Sequence, residues 1–532
     1  MNFTSTITCP GSAFMKPAFM KPVLIKPVLI KPALMTLLTT LCAGCVVGPD
    51  YHRPSLSTET RFTRSSLANP VGNNASSNET EHPQPGATIG QAWWNLFASP
   101  KLDALVERAL AHNPDIESAQ ATLRQAQENV AAQRGAYFPT AQLSYSPSRQ
   151  KNAVGTIAPT LNSGQAIYTL HTAQLNVAYS PDVFGLNRRT VESLQAQADV
   201  QRFQMQATYI TLASNVVLAA IEEASERAQI QAAKEALSAN EKSLTLLQQQ
   251  ATLGEASGLD VATQETALAQ AQQLLPPLEK QLEQTRDLLA VLAGDPPAQG
   301  GKDDFDLSAL RLPASLPSIL PSQLVDQRPD VRAAEAEVQS ANAQIGVAIA
   351  NRLPQLSLSV QYGGSATSFS RMFADNNTFW GLTGSLSQTL LDFGTLKHRQ
   401  RAADAAWQQS QAQYRSVVLS AFQNVADSLY ALDADSRALT AATYAETAAA
   451  KTLDLTHKQQ AFGYVSTLIV LNAEQAYQQT HITQIQAQAA RLSDMAALFQ
   501  ALGGGWQAAA VASTPDGAPP NAEQAGNTTT PN

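Results

Sequence analysis

The 532-residue chain carries a net charge of -8 and a pI near 5.5, an acidic balance that argues against nucleic acid as a partner. Only 15% of its residues are charged, and its three cysteines all lie within the first 45 positions. A chain cut before Cys45 would hold one thiol, which excludes a disulfide framework and leaves a Cys/His metal cluster without partners. After Cys45 no stretch is apolar over the roughly 18–20 residues a membrane helix needs, so any deeper contact with a membrane must use strands.

The elements follow in chain order. Residues 1–44 hold Lys21, Lys26 and Lys31, then the apolar run "ALMTLLTTLCAG", which has signal-peptide length. The tandem "KPAFM KPVLI KPVLI KPALM" of residues 16–35 places a proline at every fifth position, which forbids a regular helix. It also makes the leader long, with Met15 and Met20 as alternative starts. Small Ala43 and Gly44 precede Cys45, and the arrangement resembles a bacterial lipoprotein signal, although Cys42 stands where leucine is usual. Residues 1–44 are therefore expected to be removed and Cys45 acylated, since an acyl chain anchors through its buried CH2 groups. The other reading is an ordinary cleaved signal with an incidental cysteine. Residues 45–100 form an N-terminal segment. Within it, residues 66–87, "SLANPVGNNASSNETEHPQPGA", read as disordered. Trp93-Trp94 suits either a membrane-interface belt or packing of this segment against helices.

The rest of the chain is a duplication. Pro114, Asp115, Ala126, Pro139 and Leu143 match Pro329, Asp330, Ala341, Pro354 and Leu358, every pair 215 residues apart. Further on, Phe184-Gly185, Asn215-Val216 and Gly254 match Phe393-Gly394, Asn424-Val425 and Gly463 at a spacing of 209. The six extra residues of the first copy fall around the Gly/Asn/Ser-rich "SRQKNAVGTIAPTLNSGQ". Residues 101–297 and 328–506 are the two copies, 298–327 a linker and 507–532 a disordered tail.

Each copy predicts the same series. A helix opens at "NPD" or "RPD", with Pro in its first turn and Asp favourable to the helix dipole, and ends near Pro139 or Pro354. Two alternating stretches follow. In "PQLSLSVQY", Leu356, Leu358, Val360 and Tyr362 share one face, and Gln355, Ser357, Ser359 and Gln361 the other. "AQLSYS" repeats this with Leu143 and Tyr145 against Gln142 and Ser144; "IYTLHTAQLNVAYS" and "FWGLTGSLSQTLL", with Trp380 and Leu382, keep it less strictly. Such strands fit a soluble sandwich or a membrane barrel with a wet interior. Four strands cannot close a membrane barrel alone, and an open edge in lipid is forbidden. Strands in a membrane would thus require several chains to share one barrel. Residues 186–253 and 395–462 then contain neither Gly nor Pro, enough for helices roughly 100 Å long. Gly254 and Gly463 break them at equivalent places, and return helices follow, the first with Pro276-Pro277 expected to kink or split it.

"CVVGPDYHRP" at Cys45, "AWWNLFASPKLDALVERALAHNPDI" at Ala92, the two "PD" helix starts and "FGYVSTLIVLNAEQAY" at Phe462 together resemble the TolC-type outer-membrane efflux proteins, in the OprM/NodT-like lipoprotein branch. The resemblance spans nearly everything from Cys45 to about Trp506. It implies a mainly α chain with a membrane β-barrel: a homotrimer with twelve strands, continued as an α-helical periplasmic tunnel. It further implies a passive exit duct in the outer membrane, served by a periplasmic adaptor and an inner-membrane RND-type pump, for drugs or aromatic compounds. Leu143, Tyr145, Leu356, Leu358, Val360, Trp380 and Leu382 would then face lipid. Gly254, Asp260, Gly463, Tyr464, Ile469 and Asn472 would mark the periplasmic tips. Family members carry acidic residues just after the second tip; here Ile469 and Asn472 stand there, and the first copy keeps Asp260 opposite Ile469. Asp260 either caps the return helix or engages the adaptor or neighbouring helices.

A competing reading is a lipid-anchored coiled-coil scaffold without a pore, disfavoured by the strand pair inserted in both copies. No HExxH, GxSxG, GxxxxGK[ST] or GxGxxG occurs, and the seven histidines are scattered. Neither an enzyme nor a cofactor or metal is expected.

Overall fold

The computed structural model describes residues 46–53, 92–151, 167–300, 303–312 and 328–504. The leader, Cys45, residues 66–87 and the tail of residues 507–532 lie outside the described residues. A helical turn, Trp93–Phe97, leads into α1 (Pro100–His112) and α2 (Pro114–Arg134). Both helices start on a side-chain cap followed by proline: Ser99 Oγ accepts from Leu102 N–H at 3.4 Å, and Asn113 Oδ1 accepts from Asp115 N–H at 2.8 Å. A proline in the first turn costs nothing, because its missing N–H would have had no partner there.

Then come β1 (Thr140–Lys151) and β2 (Ile167–Tyr179), the long α3 (Leu186–Thr252) and its return, α4 (Gly258–Leu292). The second copy repeats the series with α5 (Pro329–Ala350), β3 (Gln355–Ala366), β4 (Thr378–Ser387), α6 (Thr395–Ala461) and α7 (Thr467–Ala501). α3 and α6 each have 67 residues and α4 and α7 each have 35. A return helix therefore covers about half of the roughly 100 Å outward run. Beside the half nearer the sheet lie the shorter α2 and α5.

Of the kink or split expected at Pro276-Pro277, the split does not occur: α4 runs through both prolines as one helix. A proline removes the hydrogen bond to the carbonyl four residues earlier, here those of Gln272 and Gln273. Both glutamines and both prolines are exposed, so water can take the freed carbonyls.

The principal core sits midway along α3. Trp93, Phe97, Leu102 and Val106 close on Val216, Val217, Ala220 and Ile221 of α3, and on Leu492, Met495 and Phe499 of α7. Trp93 is buried with its ring 5.4 Å from that of Phe499, so the Trp-Trp pair serves packing and not a membrane belt. Residues 303–312 join the same girdle through Phe305, Leu307 and Leu310. Arg311 N–H donates to Phe97 O at 3.1 Å, and the buried Glu223 carboxylate accepts from Phe305 N–H at 3.1 Å.

Residues 46–53 form a strap across α3 and α5. Arg189 of α3, itself buried, donates to the carbonyls of Val47 (3.1 Å) and Gly48 (3.2 Å) and to Asp50 (2.8 Å). Asn342 of α5 donates to Pro49 O at 2.9 Å. A Cβ on Gly48 would lie 2.5 Å from the Gly346 backbone, so only glycine lets strap and helix approach this closely.

Candidate functional site

The four strands form one antiparallel sheet in the order β1-β2-β3-β4. Because side chains alternate, the observed register decides what each face presents. One cross-strand row reads Leu143, Leu175, Tyr362, Trp380; the next reads Ala141, Val177, Val360, Leu382; Tyr179 and Leu358 follow. The opposite face reads Gln142, Asn176, Gln361, and then Ser144 and Gln174. Hydroxyls bridge strands on that polar face, Thr172 to Ser365 at 3.0 Å and Ser357 to Ser385 at 2.7 Å.

The apolar face is bare within the chain: Leu143 is 79% exposed, Trp380 78% and Leu382 70%. Tyr145, Leu358 and Val360 are exposed as well, and Leu356 is half-buried. In water such a face would cost roughly 25 cal/mol per Å2. Toward the turns joining β1 to β2 and β3 to β4 it ends in an aromatic cluster: Tyr145 meets His171 Nδ1 at 2.8 Å, and Phe369 sits edge-on to both rings. Among the described residues, β1 and β4 each leave one edge unpaired.

At the other end both long helices reverse through the same motif. Gly254 and Gly463 have φ of +78° and +75°, a left-handed conformation available to glycine without strain. Glu255 N–H reaches back to Gln250 O at 2.9 Å, and Tyr464 N–H to Gln459 O at 3.0 Å. These are Schellman closures, which satisfy carbonyls left over at a helix end.

Beyond the turns the two copies differ. At the start of α4, Ser257 and Asp260 form a capping box: Asp260 N–H donates to Ser257 Oγ (3.2 Å), and Ser257 N–H to Asp260 Oδ2 (3.1 Å). The Ser257 hydroxyl and amide hold the Asp260 carboxyl below its usual range. Of the two roles expected for Asp260, the cap is the one its contacts within the chain fill. At the start of α7, Ser466 makes no side-chain cap bond, and Ile469 supplies no carboxylate to accept from the Ser466 amide. Ile469, Asn472 and Tyr464 are exposed. Asp260 and Ile469 thus occupy matching positions on separate hairpins, and Asn472 matches Thr263.

Sequence reasoning missed a cavity of about 970 Å3 between the hairpins α3/α4 and α6/α7, its walls mostly apolar with polar side chains among them. Gln270, Gln273 and Gln478 line it, with His457, Glu474 and His481. Its only prior signal was the abundance of Gln along the four helices. His457 lies 3.6 Å from Glu474, whose carboxyl burial pushes up while His457 draws it down.

Residues 105–295 and 320–504 match the family model described as outer membrane efflux protein. The pyoverdine export outer membrane protein OpmQ of Pseudomonas putida is 30% identical over 420 residues, covering 79% of this chain and 89% of its own. The toluene efflux pump outer membrane protein TtgC of Pseudomonas putida is 27% identical over 481 residues, covering 89% and 96%. The solved outer-membrane channel OprN superposes with a TM-score of 0.75 at 25% identity, covering 86% of this chain and 99% of that one. The two-faced sheet, the long paired helices and these likenesses agree: the chain belongs to the outer membrane efflux protein family, as the outer-membrane channel of a tripartite efflux pump.

Proposed function

We propose that three copies of this chain share one twelve-stranded barrel and that solutes leave passively through its polar interior. The observation that carries this is the sheet: one face bears a broad exposed apolar band, the other is polar, and two edges are open. Lipid forbids open edges, so the β4 edge of each copy pairs with the β1 edge of the next. Leu143, Tyr145, Leu356, Leu358, Val360, Trp380 and Leu382 then face acyl chains. α6 supports the same ring. It is largely exposed along its length, whereas its equal α3 is enclosed by α1, α2, α4, α5 and α7. A neighbouring copy would cover it.

The Gly254 and Gly463 turns are the periplasmic tips, where an adaptor docks and an RND-type inner-membrane pump delivers cargo. Ile469 and Asn472 line the constriction. It is apolar and amide-bearing, without a ring of carboxylates, so its closure depends little on pH or divalent cations. Cys45 carries the lipid. Relatives named for pyoverdine export and for toluene efflux point to a duct wide enough for mixed cargo, drugs and aromatic compounds included.

Single-channel recording tests the constriction. Asn472→Asp trimers should gain cation selectivity and block by divalent ions over the parent; a parent that already shows both as strongly would refute it. Cross-linking of the solubilised protein should stop at three chains.

A further inference from the structure

The two junctions where strand gives way to long helix are equivalent by the duplication yet built differently. In the first, Asp182 caps α3, accepting from Asn187 N–H at 3.0 Å and Arg188 N–H at 2.8 Å. Residues 181–184 are half-buried there, and the strap lies on them: Val47 N–H donates to Phe184 O at 3.3 Å, and Val46 packs against Gly185. In the second, the cap lies one residue nearer the glycine. Asp392 accepts from Gly394 N–H at 2.9 Å and Leu396 N–H at 2.7 Å. That tighter turn drives Phe393 to a φ of +54°, a conformation a bulky side chain adopts only under strain. The strained ring packs on nothing: Phe393 is 93% exposed and Leu390 90%, with Leu391 beside them.

Among the described residues no strap covers this site, and the groove that would hold one is not built. At the positions equivalent to Arg189, Gly346 and Glu335, the last of which ion-pairs with Arg53 of the strap at 3.0 Å, stand His398, Ala131 and Gln120. Two further features indicate what covers it. Leu390 and Leu391 continue the exposed apolar face of β4, which ends at Leu386. Immediately past them, Lys397, Arg399 and Arg401 are exposed, with no acid between Asp392 and Asp404. The Asp392 carboxylate itself is turned onto helix amides. An apolar wedge followed by a basic turn matches a membrane boundary, with side chains among acyl chains and cations at phosphate level.

We infer that Leu390, Leu391 and Phe393 insert into the helix-side leaflet of the outer membrane, with Lys397, Arg399 and Arg401 on phospholipid phosphates. Val46 sits on the equivalent glycine of the first junction. This inference rests on the barrel reading above.

Photoreactive benzoylphenylalanine placed at Phe393, and separately at Trp380, in the full chain reconstituted in phosphatidylethanolamine/phosphatidylglycerol nanodiscs tests it. Irradiation should give phospholipid adducts at both sites, read by intact mass. Lipid at Trp380 with only chain-to-chain cross-links at Phe393 would overturn the inference and assign the wedge to a neighbouring copy. No lipid at Trp380 would instead sink the barrel reading.

Discussion

The two halves of the chain began as copies, and their differences show which positions the duct has specialised. α3 and α6 are equally long, reverse on equivalent glycines and follow equivalent strands. Yet α3 lies inside the chain's own packing while α6 lies at its margin, left for a neighbour. Shared features are therefore those each copy needs to make strand, helix and turn. Divergent features are those that only one place around the ring requires: the strap on Arg189, the capping box at Ser257, the bare wedge at Phe393.

The largest expected effect lies where the halves should behave alike. Leu143 and Leu358 are equivalent and share the apolar face. Leu143→Arg and Leu358→Arg should each cost roughly 2–4 kcal/mol near the bilayer midplane, and Ser357→Arg on the polar face far less. Heat-modifiable gel mobility of the assembled protein reads this directly. Equal tolerance of Leu358→Arg and Ser357→Arg would reverse the assignment of faces, since a one-residue slip exchanges them.

The next effect concerns acids buried at the same level in both halves. Glu226 of α3 faces Thr285 of α4, and the equivalent pair is Asp435 and Asp494. Burial pushes Glu226 up to about 7, with Glu222 and Glu223 adding to it, against relief from the Thr285 hydroxyl. Burial, then hydrogen bonding to Asp435 and its charge, pushes Asp494 up to about 6. An acid raised in the folded state imposes no penalty below its unfolded value near 4, a growing one as pH climbs to the raised value, and the full one above it. Glu226→Gln should therefore stabilise the fold by roughly 2–3 kcal/mol at pH 8 and hardly at pH 4. Asp494→Asn should do so by less, saturating about one pH unit lower. Chemical denaturation at the two pH values checks both; a gain at pH 4 equal to that at pH 8 would mean that titration is not the cause.

Much of this was legible in the sequence because it rests on local rules. Alternation in "PQLSLSVQY" gives the faces, absence of Gly and Pro gives the long helices, and two glycines give the turns. What was not legible depends on partners distant in the chain. Nothing local marks Arg189 as the residue that holds a strap some 140 positions away, and nothing in "LLDFG" says that a shifted cap turns Phe393 outward. The split allowed for at Pro276-Pro277 is absent for a related reason. Local chemistry predicts a break, but exposure of the freed carbonyls, a property of tertiary placement, removes most of its cost.

The strap offers a comparison of smaller size. Arg189→Gln removes charge-assisted bonds to Val47, Gly48 and Asp50, worth about 1.5–3 kcal/mol. The equivalent His398→Gln should change almost nothing. Limited proteolysis of residues 46–53 separates them: Arg189→Gln should expose the strap to cleavage while the helices stay resistant. Equal protection in both variants would show that Gly48 and Asn342 hold the strap without the arginine.

The smallest effect is at the tips, and it asks whether losing the acid there loosened the second one. Ser257 and Ser466 are equivalent caps, but only Ser257 has its reciprocal partner, Asp260. Ser257→Ala should cost roughly 0.5–1 kcal/mol of local stability, and Ser466→Ala a few tenths at most. Amide exchange over the first turns of α4 and α7 reports each separately. Because Asp260 is held below its usual range, its share of the cap is present at neutral pH and lost as pH falls through that lowered value. Ile469→Asp should rebuild the box on Ser466 and slow exchange in α7 toward that of α4. If Ile469→Asp leaves exchange in α7 unchanged, the missing carboxylate is not what distinguishes the tips. The looser cap would then follow from the packing of α7 on α6 and not from the exchange of one acid for isoleucine.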